Sequence, residues 1–197
     1  MEKTNKTKSQ KIKRKKLQRD FFNQPTLKVA QELLGKYIVR KIGSRILTGK
    51  IVETEAYIGP KDKASHAYGG RRTVRNQAEW LTGGHVYIYL VYGMYWQLNF
   101  STAGAGKPEC VLIRALEAPV GRPENTANGP GKLCRYLKLD KTFYGLDAVK
   151  SKRLWLEDRG EIVKPREIKA TARVGIDYAG PYWAGKKWRF VINSSGN

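Results

Sequence analysis

The sequence predicts a single α+β domain in which strands outnumber helices. Three observations carry this. Eight segments alternate or run apolar at strand length, against two helical stripes and one short helical turn. A chain of 197 residues has the size of one domain and can bury a real core. No internal repeat and no linker interrupts it after residue 20.

The elements follow in order. Residues 1–19 hold nine Lys/Arg against one Glu and little to bury. They read as a disordered basic arm, which either rides on phosphates or serves only solubility. The domain then spans 20–197. Asn23-Gln24-Pro25-Thr26-Leu27 resembles a helix start, with Pro25 early. Leu27, Ala30, Leu33 and Leu34 form its apolar stripe, and Gly35 is its stop. Residues 36–41 and 45–58 read as strands joined around Gly43-Ser44. In the second, strict alternation puts Ile51, Glu53, Glu55 and Tyr57 on one face, and Val52, Thr54, Ala56 and Ile58 on the other.

Residues 59–84 form a long glycine-punctuated loop with a short helical piece near 76–81. Loops of this length in compact domains are usually functional or disordered. It holds Arg71, Arg72 and Arg75 near His66, which suits a phosphate-facing surface. Residues 86–91 and 94–100 are strands meeting at Tyr92-Gly93, a hairpin signal. Met94, Trp96, Leu98 and Phe100 share one face, and Tyr95, Gln97 and Asn99 the other. Residues 109–118 are a further strand, apolar on both faces except Arg114, which needs a partner or a wet groove. Gly129-Pro130-Gly131-Lys132 opens a helix whose inner side is Leu133, Cys134, Tyr136 and Leu137. Bare N–H groups at its start suit a phosphate, with Lys132 beside them. Residues 154–157, 171–176 and 187–192 read as closing strands.

The net charge is +21, and the part after residue 19 is basic on its own account. That implies a polyanionic partner, nucleic acid or an anionic surface. No apolar run is long enough to span a membrane. Two distant cysteines, Cys110 and Cys134, indicate no disulfide framework and fit a reducing compartment. With only His66 and His85 beside them there is no metal-ligand spacing, and neither metal nor cofactor is expected. Paired carboxylates, an imidazole and a run of tyrosines in a basic chain point to chemistry on a nucleobase. Taken singly, Tyr57 and Tyr89 also read as ordinary half-buried strand aromatics, and Glu53 and Glu55 as solvated or salt-bridged acids.

Six motifs in one order sharpen this reading. They are residues 51–57 with His66, then 70–76, then 87–94 with Asn99, then 111–116, then 129–134, then Ala172-Arg173-Val174-Gly175. No motif is decisive alone, but in this order and spacing the chain resembles the alkyladenine (3-methyladenine) DNA glycosylase family over about residues 20–192. The resemblance implies a curved, mostly antiparallel sheet with flanking helices and a β-hairpin projecting from the DNA-binding face. It implies a monofunctional enzyme, with no lyase step, that flips and excises damaged purines from double-stranded DNA by water attack at C1′. The purines expected are 3-methyladenine, 7-methylguanine, hypoxanthine and ethenoadenine. A monomer is expected, in a bacterial cytoplasm or a eukaryotic nucleus.

The resemblance also assigns roles. Glu55 is the general base, a choice that alternation leaves open between it and Glu53. Tyr57 and His66 on one side and Tyr89 on the other stack the base. Asn99 meets the base edge and rejects the 2-amino group of guanine. Tyr92 is the wedge that fills the hole left in the duplex. Arg114 positions the water or binds the adjacent phosphate. The chain departs from the family at Glu79, usually methionine, and at Val74, often proline. Both departures are expected to affect how the Arg-rich loop meets the opposite strand. Two rival readings are an inactive nucleic-acid-binding protein on the same fold and a lyase working through a lysine Schiff base.

Overall fold

A computed structural model describes residues 14–193. In chain order the elements are β1 (Lys15–Lys16), α1 (Arg19–Phe22), α2 (Thr26–Glu32), β2 (Tyr37–Ile42), β3 (Arg45–Ile58), β4 (Val86–Val91), β5 (Tyr95–Ser101), β6 (Glu109–Leu116), α3 (Pro130–Tyr136), β7 (Leu154–Asp158), β8 (Ile168–Thr171), α4 (Pro181–Ala184) and β9 (Arg189–Ile192). The strands pair in the order β1-β7-β2-β3-β6-β5-β4, with β9 joining β3 to β8. Every pairing between these strands is antiparallel. The α+β expectation holds, with the sheet as the body and short helices on it.

β3 is the hub. Its first half pairs with β2, and its second half passes between β6 and β9. One side of the sheet packs on α1, α2 and α3 and forms the main core around Phe22, Val29, Leu33, Leu98, Ile113 and Leu133. The other side carries a smaller polar and aromatic layer around Tyr87, Cys110, Tyr57 and Tyr89.

The alternation expected along β3 is corrected at its centre. Between Ile51 and Thr54 the register against β6 shifts twice, a β-bulge. Leu47 and Ile51 lie in the main core, and so does Ala56. Ile51 therefore does not share a face with Glu53, Glu55 and Tyr57. The extra residue turns the strand over, so an odd-numbered core side becomes an even-numbered one. Buried Thr54 confirms the switch, since its hydroxyl donates to the Ala30 carbonyl in α2 at 2.7 Å. Without the bulge, both glutamates would point into the packed core.

Two further expectations move. The fold begins before residue 20, because Lys15 and Lys16 pair with the edge of β7 and Leu17 is buried. Arg19 then bonds Asp147 at 2.5 Å. The rest of the expected arm, residues 1–13, lies outside the described residues. The strand expected at 171–176 is instead Ile168–Thr171, and the chain leaves the sheet after it. Gly175 takes a positive φ of 73° there, and the Val174 N–H goes to a side chain rather than to a ladder. Smaller shifts trim the strands expected at 109–118 and 187–192, which run Glu109–Leu116 and Arg189–Ile192.

Candidate active site

A cavity of about 600 Å³ opens on the aromatic side of the sheet, within the usual ~300–1,000 Å³ range of small-ligand sites. Three strands supply its floor by alternation. Tyr87 and Tyr89 come from β4, Gln97 and Asn99 from β5, and Cys110, Leu112 and Arg114 from β6. Tyr57 adds a wall from β3, and His66 and Arg75 come from the long loop.

Glu55 is fully buried, with 0% exposure. Its Oε1 accepts the Val174 N–H at 2.9 Å and lies 3.3 Å from Arg114. Its Oε2 accepts the Tyr57 hydroxyl at 2.8 Å. Tyr57, Arg114 and Val174 all line the cavity, whereas Glu55 sits directly behind them. Burial raises its pKa above the ordinary carboxylate range, and Arg114 with the two hydrogen bonds pulls it part of the way back. Glu53 is placed differently. One of its oxygens takes both Arg114 Nε at 2.9 Å and Arg189 Nε at 2.6 Å. The two acids that alternation could not separate are thus a shared ion-pair anchor and a desolvated carboxylate against the cavity.

The rings are grouped differently from the sequence expectation. His66 and Tyr89 are in edge contact, with centroids 4.7 Å apart and planes at 74°. A purine slid between two rings would hold them two ring thicknesses apart, so these two cannot lie on opposite sides of a base. His66 Nδ1 also shares a 2.6 Å hydrogen bond with the Tyr87 hydroxyl. His66, Tyr87 and Tyr89 form one wall of mutual ring contacts, and Tyr57 packs against the same layer from β3. Although His66 keeps an exposed edge, its packing and the nearby Arg75 charge lower its pKa, so it is neutral near pH 7. Asn99 is buried, and its amide donates to the Tyr87 and Gln97 carbonyls at 3.1 and 3.2 Å, which fixes the side chain in place.

Tyr92 tops the β4–β5 hairpin and is 86% exposed. Tyr92 and Gly93 both have positive φ, 52° and 70°, and the Met94 N–H closes the turn on the Val91 carbonyl. Glycine enters this region freely, but a tyrosine there costs about 1–2 kcal/mol. An aromatic ring held in water on a strained turn has no packing reason to be there.

Of the arginines in the loop, Arg71, Arg72 and Arg75 are all exposed, with Arg72 over the Trp80 ring. Arg75 instead folds over Tyr89 at 5.3 Å and donates to the Leu90 carbonyl. Exposed Lys132, at the start of α3, lines a shallow depression shared with Tyr92. Among the described residues, no group of three or more His, Cys, Asp or Glu could hold a metal ion.

A family model described as methylpurine-DNA glycosylase (MPG) matches residues 20–196. The chain belongs to that family. A putative 3-methyladenine DNA glycosylase of Clostridium perfringens is 42% identical over 91% of this chain and 97% of its own. One from Methanocella arvoryzae is 44% identical over 91% and 93%. The human DNA-3-methyladenine glycosylase is 39% identical over 89% of this chain, which spans 65% of the human protein.

In this member of the methylpurine-DNA glycosylase family, a supporting pair escaped the sequence reading, which named Arg173 only within a motif and gave Asp62 no part. Arg173 and Asp62 form a bidentate pair, at 2.5 and 2.9 Å, with both side chains wholly buried. Arg173 also donates to the Ala56 carbonyl and lies 4.7 Å from the Tyr57 ring. The pair ties the loop after β3 to the segment that presents Val174 to Glu55. No local signal marks it, because its members stand 111 positions apart.

Glu79 calls for a further correction. It is not a surface contact of the Arg-rich loop but lines the cavity, with 2% exposure. Val74 does face solvent, at 81%.

Proposed function

We propose that this chain is a monofunctional DNA glycosylase that flips an alkylated or deaminated purine into the cavity and hydrolyses its N-glycosidic bond. The observation that carries this reading is Glu55, a buried carboxylate tied to Tyr57, Arg114 and Val174 behind a ring-walled pocket. A protein that only bound a polyanion would gain nothing from burying an acid there. Names of the relatives point to the same chemistry.

In this reading the target nucleotide leaves the stack, at a cost of a few kcal/mol. Tyr92 enters the gap, and exposed Arg71, Arg72 and Lys132 take backbone phosphates. The purine lies between Tyr57 and the wall of His66 and Tyr89, where stacking is worth about 1–3 kcal/mol and tolerates several bases. Cationic lesions gain further from the ring faces. Immobile Asn99 cannot swing aside, so it rejects the extra 2-amino group of guanine. As the bond to C1′ breaks, positive charge grows on the sugar. Glu55 balances that charge and takes the proton of the attacking water, while Arg114 holds the carboxylate in line. The protein acts as a monomer on double-stranded DNA carrying damaged purines.

The deciding assay uses duplexes with a single hypoxanthine or 7-methylguanine. Free base and an intact abasic strand are expected, with no borohydride-trapped adduct. Lesion binding without base release would favour an inactive binding protein, and a trapped adduct would favour the lyase. A second measurement isolates the wedge. Tyr92→Ala is expected to slow single-turnover excision from duplex DNA by about 10- to 100-fold, matching a few kcal/mol of unstacking. The same lesion in a single strand should be excised at nearly the unchanged rate. Equal losses on both substrates would remove Tyr92 from the role of wedge.

A further inference from the structure

Glu79 is an acid lining the cavity that the proposed mechanism leaves unused. It stands in the short helical turn Gln77–Trp80. The Cys110 thiol donates to its Oε1 at 3.5 Å, and Cys110 in turn reaches Asn99 Oδ1 at 3.8 Å. Glu79 therefore lies next to the side chain that meets the base edge. Its Oε2 is buried and has no hydrogen-bond partner among the described residues. The Asn76 amide is close enough to pull the Glu79 pKa down a little, but its two N–H groups are committed to the His66 and Arg71 carbonyls. A buried polar atom left alone costs about 1–3 kcal/mol, and a ligand that satisfies it recovers that cost.

We propose that Glu79 is a specificity-determining residue that donates a hydrogen bond from Oε2 to the flipped base, extending the substrate range toward neutral purines with a ring-nitrogen or oxo acceptor at that edge. This deepens the glycosylase reading and rests on it. Because the thiol donates to Oε1, the carboxyl proton belongs on Oε2. Burial favours the protonated acid and raises its pKa to about 8, against weaker pulls from Cys110 and Asn76. The groups around it hold their states near that pH. Burial keeps Tyr87, Tyr89 and Cys110 protonated, His66 is neutral, and Arg75 is the guanidinium on this wall. A donor at the purine edge matters most for a neutral base, which must leave with the bonding electrons and gains from any bond that spreads that charge. A cationic base leaves without this help. The family's usual methionine has no such donor.

The test compares wild type, Glu79→Met and Glu79→Gln on duplexes carrying hypoxanthine or 7-methylguanine, in single-turnover excision from pH 6 to 9.5. Glu79→Met is expected to lower the hypoxanthine-to-7-methylguanine rate ratio by about 10- to 100-fold, the equivalent of one buried hydrogen bond. Glu79→Gln, which keeps an N–H donor, should restore most of it. In wild type the ratio should fall as pH rises through about 8, where the acid loses its proton, and in Glu79→Gln it should stay flat. A ratio unchanged in Glu79→Met, or equal losses on both lesions in both variants, overturns the inference and leaves the function standing. A wild type that releases neither base overturns both.

Discussion

Glu55→Gln is expected to lower single-turnover excision by about 10³-fold or more while leaving lesion-DNA affinity within about threefold. General-base assistance is worth ~10²–10⁴-fold, and a charge aimed at a developing cation adds to it. The amide keeps the shape of the acid and an oxygen for the Val174 N–H, so the fold should stand. Melting temperature should hold or rise, because a desolvated charge has been removed. The pH profile gives a second handle. Only the ionised acid can take a proton, and burial holds its pKa above the ordinary range. Wild-type activity should therefore fail as pH drops, at a higher pH than a solvated glutamate would give, and the residual rate of Glu55→Gln should lack that limb. Glu53→Gln is the control. Glu53 anchors Arg114 and Arg189 at the cavity's edge, so a loss of about tenfold or less is expected. Glu55→Gln at the wild-type rate, or the larger loss in Glu53→Gln, would reassign the base.

The second large effect falls on stability. Arg173→Met should destabilise the protein by about 3–5 kcal/mol, because it leaves Asp62 charged, buried and alone. In a domain of this size that lowers the melting temperature by roughly 6–20 °C. Replacing both partners, Asp62→Asn with Arg173→Met, should recover much of the loss, since no lone charge remains. Excision should stay impaired in the double variant, because the segment holding Val174 against Glu55 is no longer pinned and Tyr57 has lost the guanidinium beside it. Thermal and urea denaturation of the wild type and the two variants measures the first effect. A shift below about 2 °C for Arg173→Met would show that Asp62 finds other partners or takes up a proton.

Much of this molecule is written locally. Tyr92-Gly93 between two apolar runs marks the hairpin, and alternation in residues 94–100 puts Gln97 and Asn99 on one side, where both line the cavity. The stripe Leu133, Cys134, Leu137 marks the helix that covers the other side. Such features depend on the period of a strand or a helix, which neighbours along the chain set by themselves. Leu17 was missed because one apolar residue in a lysine run has no period, yet it is buried at the sheet edge.

What the sequence alone determined is the inventory and its rhythm: an α+β chain, basic throughout, with acids on β3, rings on β4 and a tyrosine at the turn between two strands. Tertiary structure decided the rest, because those choices are made between segments far apart in the chain. The bulge that lifts Glu53 and Glu55 out of the core depends on how β3 must meet β6. The burial that separates Glu55 from Glu53 depends on Val174 and Arg189, more than a hundred residues away. Glu79 stands in a polar, glycine-punctuated loop, and only the walls that close around it place it inside the pocket with 2% exposure. A carboxylate's role follows from the water it loses, and that is a property of the folded chain.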